Sequence, residues 1–138
     1  MDSNLPVSTI MSRGVVVGNQ FHNFSQVLKL FSEFPIHHLP IVDTHNKLVG
    51  IISSNDIMRL FINPKFNDVK LNADELDRVV NLPDIMTPNP LSIPPTETIK
   101  KAARLFAENK FQVLPVVENG EIVGIVSVKD IVELVAVE

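Results

Sequence analysis

The chain has 138 residues, 45% of them hydrophobic and 20% charged, a balance that supports a buried core and excludes a disordered polymer. Its formal net charge is −4 and no stripe of basic residues alternates with aromatics, which argues against a nucleic-acid-binding protein. The absence of cysteine excludes disulfides, thiolate metal sites and cysteine nucleophiles.

The first half of the chain predicts a strand, a helix, two strands and a helix. Asn23 is a suitable N-cap for the first helix, and Pro35 ends it. The predicted elements are a short apolar run at Val15–Val17, a helix over Phe24–Phe34, strands over Leu39–Val42 and Leu48–Ile52, and a helix over Asn55–Phe61.

The second half predicts the same order of elements. Thr96 is the expected N-cap of its first helix. Asn119-Gly120 predicts a two-residue hairpin turn, since both central residues of that turn need positive φ. The predicted elements are an apolar run at Leu91–Ile93, a helix over Glu97–Asn109, strands over Val113–Val117 and Ile122–Val126, and a helix over Lys129–Val137.

Between the halves lies a linker over residues 62–84. Apolar residues at helical spacing follow Asn72, which is a suitable N-cap, so we predict a short helix there. Its acidic residues, Asp74, Glu75 and Asp77, are expected on a solvated face rather than in a catalytic carboxylate pair, because no basic or nucleophilic partner is near in sequence.

The two halves are copies of one another. Ile10–Phe61 aligns with Ile85–Val135, which makes an internal repeat of about fifty residues. The organisation is therefore repeat 1 over residues 1–61, the linker, and repeat 2 over residues 85–138. Because one copy is too small to bury an adequate core, we predict that the two share one core. Any site that the repeat builds should then occur twice.

Each repeat places a Ser-x-x-Asp segment where a buried strand leads into a helix, Ser53–Asp56 in repeat 1 and Ser127–Asp130 in repeat 2. One interpretation is a capping box, in which the serine and the acid satisfy backbone groups of the helix. The other is a nucleotide site, because a helix N-terminus attracts phosphate and a carboxylate can accept from the hydroxyls of a ribose. The residues alone leave both open.

The ordered landmarks of both copies resemble a tandem pair of CBS domains, also called a Bateman module. They are Ile10-Met11-Ser12 with Ile85-Met86-Thr87, His38–Asp43 with Val113–Glu118, and the two Gly-x-x-Ser-x-x-Asp segments that begin at Gly50 and Gly124. The resemblance implies an α+β fold of two strand-helix-strand-strand-helix repeats packed with pseudo-two-fold symmetry. It also implies adenosine-containing ligands in the cleft between the copies, with serine on phosphate and aspartate on ribose.

Carried over by position, the resemblance implies two nucleotide-binding sites. The first comprises Ser127, Lys129 and Asp130 facing Ser12, Val15, Val16, His37 and His38; the second comprises Ser53 and Asp56 facing Thr87, Pro90, Leu91 and Gln112. Family members often carry a basic residue before the Leu-Pro pair, and repeat 2 has Gln112-Val113 there instead. We therefore expect the first site to bind phosphate more tightly.

The sequence thus predicts a regulatory module, not an enzyme, that senses AMP, ADP or ATP ahead of S-adenosylmethionine or NAD and requires no cofactor. No motif for catalysis is found, and the adjacent histidines should point to opposite faces of a strand, which disfavours a metal site. Without an effector domain in the sequence, the output is expected to act on a separate partner protein. The alternative is a structural or dimerisation module without ligand, whose Ser-x-x-Asp segments only cap helices.

Apolar residues crowd the closing helices of both repeats beyond what one core face requires, so we predict a homodimer. The first residues lack the basic and apolar regions of a signal peptide, and no apolar run reaches the roughly 18 residues of a membrane span. We therefore expect a cytoplasmic protein that is not bound to membranes.

Overall fold

The computed structural model of the protein describes residues 1–64 and 72–137. The chain forms two compact units: a discontinuous unit of Met1–Val15 with Leu91–Glu138, and a continuous unit of Val16–Pro90. The units do not coincide with the sequence repeats. The first 15 residues lie with repeat 2, and the segment that opens repeat 2, up to Pro90, lies with repeat 1.

The continuous unit is built on a four-stranded sheet of order β1-β2-β3-β4. β1 pairs parallel with β2, while β2 with β3 and β3 with β4 are antiparallel. Its elements are β1 (Gly18–Asn19), α1 (Phe24–Glu33), β2 (His38–Val42), β3 (Leu48–Ser53), α2 (Ser54–Ile62), α3 (Ala73–Val79), α4 (Leu82–Ile85) and β4 (Thr87–Pro88).

Helix α1 begins as the sequence predicts. Asn23 accepts from the backbone N–H of Gln26, and the Gln26 side chain accepts from the Asn23 N–H, which completes a capping box. Phe24 and Val27 bury their side chains on its inner face. The helix ends at Glu33, two residues before Pro35.

The linker helix is confirmed as α3, with Asn72 capping it through a 2.9 Å bond from the Glu75 N–H. Leu76 is buried, as the spacing predicts. The expectation of a purely solvated acidic face is wrong for Asp77. Its carboxylate accepts from both the N–H and the hydroxyl of Ser25, each at 2.7 Å, and so joins the linker to the start of α1.

The discontinuous unit combines the start of the chain with repeat 2. A 3₁₀ turn over Val7–Thr9 precedes a bridge between Ser12 and Ile125, whose backbone groups exchange hydrogen bonds of 2.9 and 3.0 Å. The Val7 N–H donates to the Glu97 carbonyl at 2.7 Å. The remaining elements are α5 (Ile99–Glu108), β5 (Val113–Glu118), β6 (Glu121–Ser127) and α6 (Val128–Ala136).

Tight turns join the paired strands of both units. Asn119 and Gly120 adopt φ of 54° and 81°, which confirms the predicted hairpin. In the longer turn of repeat 1, Asn46 takes φ of 61°, and Asp43 accepts from the backbone N–H groups of Lys47 and His45. The bond from Lys47, followed by that from His45, lowers the pKa of Asp43.

Two element boundaries differ from the prediction. Helix α5 begins at Ile99 with Thr98 as its cap, not at Glu97 with Thr96, because Glu97 donates to the Pro94 carbonyl in a turn of its own. The apolar runs are not strands: the first strand of repeat 1 is Gly18–Asn19, and in repeat 2 a single bridge joins Ile93 to Val116.

Each unit has its own hydrophobic cluster, where the sequence predicts one core for the two repeats. Each cluster is nevertheless completed from outside its own repeat: Val7 and Met11 enter the cluster of repeat 2, and Leu82 of the linker enters that of repeat 1. The buried residues of the cluster in the discontinuous unit are Val7, Met11, Ile93, Ile99, Ala102, Leu114, Val116 and Val126. Those of the cluster in the continuous unit are Phe24, Val27, Leu39, Ile41, Ile52, Leu76, Val80 and Leu82.

Among the described residues, no helix combines the length and apolar character needed to cross a membrane.

Candidate nucleotide-binding segments

Both Ser-x-x-Asp segments form complete capping boxes. The Ser53 hydroxyl accepts from the Asp56 N–H at 3.1 Å, and the Asp56 carboxylate accepts from the Ser53 N–H at 2.7 Å. The equivalent distances for Ser127 and Asp130 are 3.1 and 2.8 Å. The capping interpretation is therefore confirmed, and it fixes each serine and aspartate against the first turn of its helix.

The caps do not exhaust the hydrogen-bonding capacity of these side chains. Each serine hydroxyl accepts in the box, so its hydrogen can still be donated. Each aspartate uses one oxygen, Oδ2, for the cap, and a carboxylate has about four acceptor sites over two oxygens. Capping and ribose binding are therefore compatible at the same residues.

The strand register places further predicted residues on the same face as each serine. In the continuous unit Ser53 is paired with His38, and Ile51, two residues before it, is paired with Thr87. In the discontinuous unit Ser127 is paired with Val113, and Ile125 with Ser12. Because alternate residues of a strand share a face, Thr87 lies on the face of Ser53, and Ser12 on that of Ser127.

The structure divides each predicted residue set between the two units. Of the set built on Ser127, the residues Ser12, Val15, Lys129 and Asp130 lie in the discontinuous unit, and Val16, His37 and His38 lie in the continuous unit. Of the set built on Ser53, the residues Asp56, Thr87 and Pro90 lie in the continuous unit, and Leu91 and Gln112 lie in the discontinuous unit.

The two adjacent histidines differ in environment. His38 is half-buried as the first residue of β2, whereas His37 is exposed and its carbonyl accepts from the Ser54 N–H at 2.8 Å. Burial lowers the pKa of His38, the neighbouring His37 lowers it further, and Asp56 opposes both. His38 is therefore the histidine that lies beside the Ser53–Asp56 segment.

One ion pair lies on each of the two capped helices. The Arg59 guanidinium is 3.9 Å from Oδ1 of Asp56, and the Lys129 ammonium is 3.7 Å from Oε1 of Glu133. Sequence reasoning identified Lys129 but missed Arg59, although its place three residues after Asp56 puts it on the same helix face. No group of three or more histidine, aspartate or glutamate side chains in residues 1–64 and 72–137 could hold a metal ion.

A pair of methionine–glycine contacts, missed from the sequence, holds each segment in place. A Cβ atom on Gly124 would lie 2.5 Å from the Met11 sulfur, and one on Gly50 would lie 2.5 Å from that of Met86. Each methionine thus packs directly on the glycine that opens a Gly-x-x-Ser-x-x-Asp segment. The Ile-Met and Gly landmarks recur in both repeats of the sequence. The sequence does not show, however, that the methionine and the glycine are in contact.

Comparison with known proteins agrees with this architecture. Protein MJ1225 of Methanocaldococcus jannaschii is 28% identical over 131 residues, which is 95% of this chain and 43% of that protein. The crystal structure of MJ1225 superposes with a TM-score of 0.82 at 27% identity, covering 98% of this chain and 49% of that one. This chain thus spans less than half of that relative.

Two further crystal structures match over nearly their whole length. CBSX2 of Arabidopsis thaliana, in complex with AMP, has a TM-score of 0.78 at 26% identity, with 96% of each chain covered. The CBS domain pair of protein MJ0100, in complex with 5′-methylthioadenosine and S-adenosyl-L-methionine, has a TM-score of 0.78 at 28% identity, with 94% of this chain and 98% of that one covered. The model of the CBS domain matches residues 7–63 and 83–137. The chain therefore belongs to the CBS-domain family and carries two of its repeats in tandem.

Proposed function

We propose that the protein is a regulatory module that binds an adenosine-containing nucleotide, with AMP, ADP or ATP as the leading candidates. It signals to a separate partner protein and catalyses no reaction itself. Ser53 and Asp56, and likewise Ser127 and Asp130, are the central residues of the proposed sites. The alternative is a structural or dimerisation module, in which the two observed capping boxes are the whole role of these residues.

One observation carries the proposal: the same Ser-x-x-Asp arrangement is built twice, and each copy retains a free hydroxyl hydrogen and free carboxylate lone pairs at a helix N-terminus. A helix N-terminus attracts phosphate, and a carboxylate accepts from a ribose diol. A capping role alone needs neither. The adenosine ligands of the related CBSX2 and MJ0100 structures support the same chemistry here.

Ligand binding is expected to stabilise the protein. A compound present at a hundred times its dissociation constant adds about 2.7 kcal/mol to the free energy of unfolding. For a chain of this size the melting temperature should rise by roughly 5–10 °C. The measurement is a thermal-shift panel of AMP, ADP, ATP, S-adenosylmethionine and NAD, with inosine monophosphate as a control for the base. A midpoint that no adenosine compound moves at millimolar concentration would leave the structural alternative standing.

Self-association is proposed through the closing helices. α2 exposes Met58 by 59% and Ile62 by 68%, and α6 exposes Val132 by 57% and Val135 by 56%. Exposed apolar surface of this kind marks an interface with another protein molecule. Among assemblies of identical chains the two-fold dimer is the commonest, so we propose that the helices meet their copies in a dimer.

Light scattering at tens of micromolar should therefore give twice the 15.4 kDa mass of one chain. Val132→Lys should lower that mass toward the monomer, because it places a charge in the contact. Phe21→Lys is the matched control, since Phe21 is 74% exposed but lies in a turn outside both helices. A monomeric parent chain would contradict the proposal. A dimer without any ligand response would favour the structural alternative.

A further inference from the structure

We infer that the two Ser-x-x-Asp segments select adenosine ligands of different charge. The Ser53–Asp56 segment takes a ligand with a 5′-phosphate, and the Ser127–Asp130 segment takes one whose 5′ substituent is uncharged or cationic. The inference rests on the proposed function, adds to it the ligand class of each segment, and reverses the order of phosphate affinity that the sequence predicts for the two sites. Three differences between the otherwise equivalent segments carry it.

The first difference is the residue beside each serine. Ser53 is paired with His38 across β2 and β3, whereas Ser127 is paired with Val113 across β5 and β6. Directly opposed side chains in an antiparallel pair have Cβ atoms about 4.5–5.5 Å apart. An imidazole can donate to a phosphate oxygen at that position, whereas valine has no donor. A phosphate on Ser53 therefore gains a partner that a phosphate on Ser127 lacks.

The second difference is the charge of the helix that each serine caps. In Ser53–Ile62 the Asp56 carboxylate is balanced by Arg59, 3.9 Å away. The range Ser127–Ala136 contains one cation, Lys129, and two carboxylates, Asp130 and Glu133, so its net charge is −1. Lys129 is also held 3.7 Å from Glu133. The second helix therefore attracts a phosphate less strongly than the first and is better suited to a neutral or cationic substituent.

The third difference is that a titratable imidazole lies beside the first segment, whereas valine lies at the matching position of the second. The charged or titratable neighbours of His38 are His37, which directly precedes the strand, and Asp56, which is itself beside Arg59. Burial lowers the pKa of His38, so the imidazole is neutral in the free protein at pH 8. A bound phosphate favours the protonated form, so binding takes up a proton. AMP affinity should rise as the pH falls from about 8 to 6.5, above the range near pH 6 where phosphate itself gains a proton.

The experiment isolates each segment within the full chain. Asp130→Asn leaves the Ser53 segment with its carboxylate, and Asp56→Asn leaves the Ser127 segment with its own. Both variants are titrated by calorimetry with AMP and with 5′-methylthioadenosine, a nucleoside without phosphate. We expect Asp130→Asn to bind AMP at least about tenfold more tightly than the nucleoside, about 1.4 kcal/mol. We expect Asp56→Asn to lose or reverse this preference, and an equal preference in both variants would overturn the inference.

Exchange of the histidine and the valine then tests the cause. In the Asp130→Asn background, His38→Val should lower AMP affinity about tenfold and remove its pH dependence, while methylthioadenosine affinity changes by less than about twofold. In the Asp56→Asn background, Val113→His should raise AMP affinity. His45→Val, at an exposed turn position, is the matched control.

An equal loss of both ligands in His38→Val would show that His38 only packs against the strand, and would overturn the inference. If neither compound binds the parent chain, the proposed function itself fails and the inference falls with it. That result is distinguishable from the binding of both compounds without selectivity.

Discussion

Replacement of both Asp56 and Asp130 with asparagine is expected to abolish the response to adenosine compounds while leaving the fold intact. An amide still accepts the hydrogen bond from the serine N–H that each carboxylate now receives at 2.7 or 2.8 Å. What is lost is the negative charge near each helix N-terminus, worth about 0.3–1 kcal/mol per helix in the free protein.

Ligand affinity should fall much further, because an ionised acceptor binds a ribose diol about twice as strongly as a neutral one. A hundredfold loss of affinity would reduce the ligand-induced stabilisation from about 2.7 to about 0.4 kcal/mol at the same ligand concentration. Urea denaturation with and without AMP measures both quantities. Asp74→Asn and Asp84→Asn, at exposed helix positions, are the controls. If the double variant loses free-state stability but keeps its ligand response, the aspartates only cap helices.

Gly124→Ala is expected to destabilise the free protein by about 1–3 kcal/mol, as overpacking of a filled interior does. The new Cβ would lie 2.5 Å from the sulfur and 2.9 Å from Cγ of Met11, and 3.1 Å from the Ser12 carbonyl oxygen. Met11 is 9% exposed within its cluster, and Ser12 is fixed by its bridge to Ile125, so neither can easily move away. The free energy of unfolding in urea measures the effect.

Two comparisons test this cause. Gly50→Ala should cost less, because its three nearest atoms all belong to the half-buried side chain of Met86 and none to backbone. Gly124→Ala should also cost less in a Met11→Ala background than in the parent, because the clashing side chain is gone; the difference is the coupling energy of a double-mutant cycle. Additive effects of the two changes would show that Met11 and Gly124 do not constrain each other.

The elements that the sequence predicted well carry their signals within a few residues. Asn23 with Gln26 and Asn72 with Glu75 are local cap pairs, and Asn119-Gly120 needs only its own backbone conformation to form a hairpin. Helix starts and tight turns depend on nearby hydrogen bonds and φ angles, so they could be read before any tertiary contact was known.

Contacts between distant residues could not be read in the same way. Thr96 and Thr98 are equally able to cap, and the choice follows from backbone bonds such as that from Ile99 to Leu5. Asp77 has the pattern of a solvated residue, and its partner Ser25 lies in another element. The strand pairing of Thr87 with Ile51 has no periodic signal, since β4 contains only two residues.

In the candidate site, too, the local features could be predicted from the sequence and the long-range contacts could not. The doubled Ser-x-x-Asp pattern correctly predicted two capped helices, because the capping box is a local motif. The residues around it depend on strand register. By family position His38 is expected to face Ser127, and within its own unit the hairpin of repeat 1 pairs it with Ser53. Register follows from the whole hairpin, including the irregularity between Ile41 and Val42, and no single motif encodes it.

The assignment of Met1–Val15 to the unit of repeat 2 has a consequence for synthesis on the ribosome. All residues of the continuous unit precede Leu91, so they leave the ribosome while the second half of the chain is still being translated. The discontinuous unit must close a long loop to join Val7 with Glu97, and loop closure of this kind slows folding. Until this loop closes, Val7 and Met11 lack the residues of repeat 2 that bury them. Their apolar side chains are then exposed and can bind chaperones. We therefore expect the continuous unit to be complete first, while the discontinuous unit, to which the earliest residues belong, is complete last.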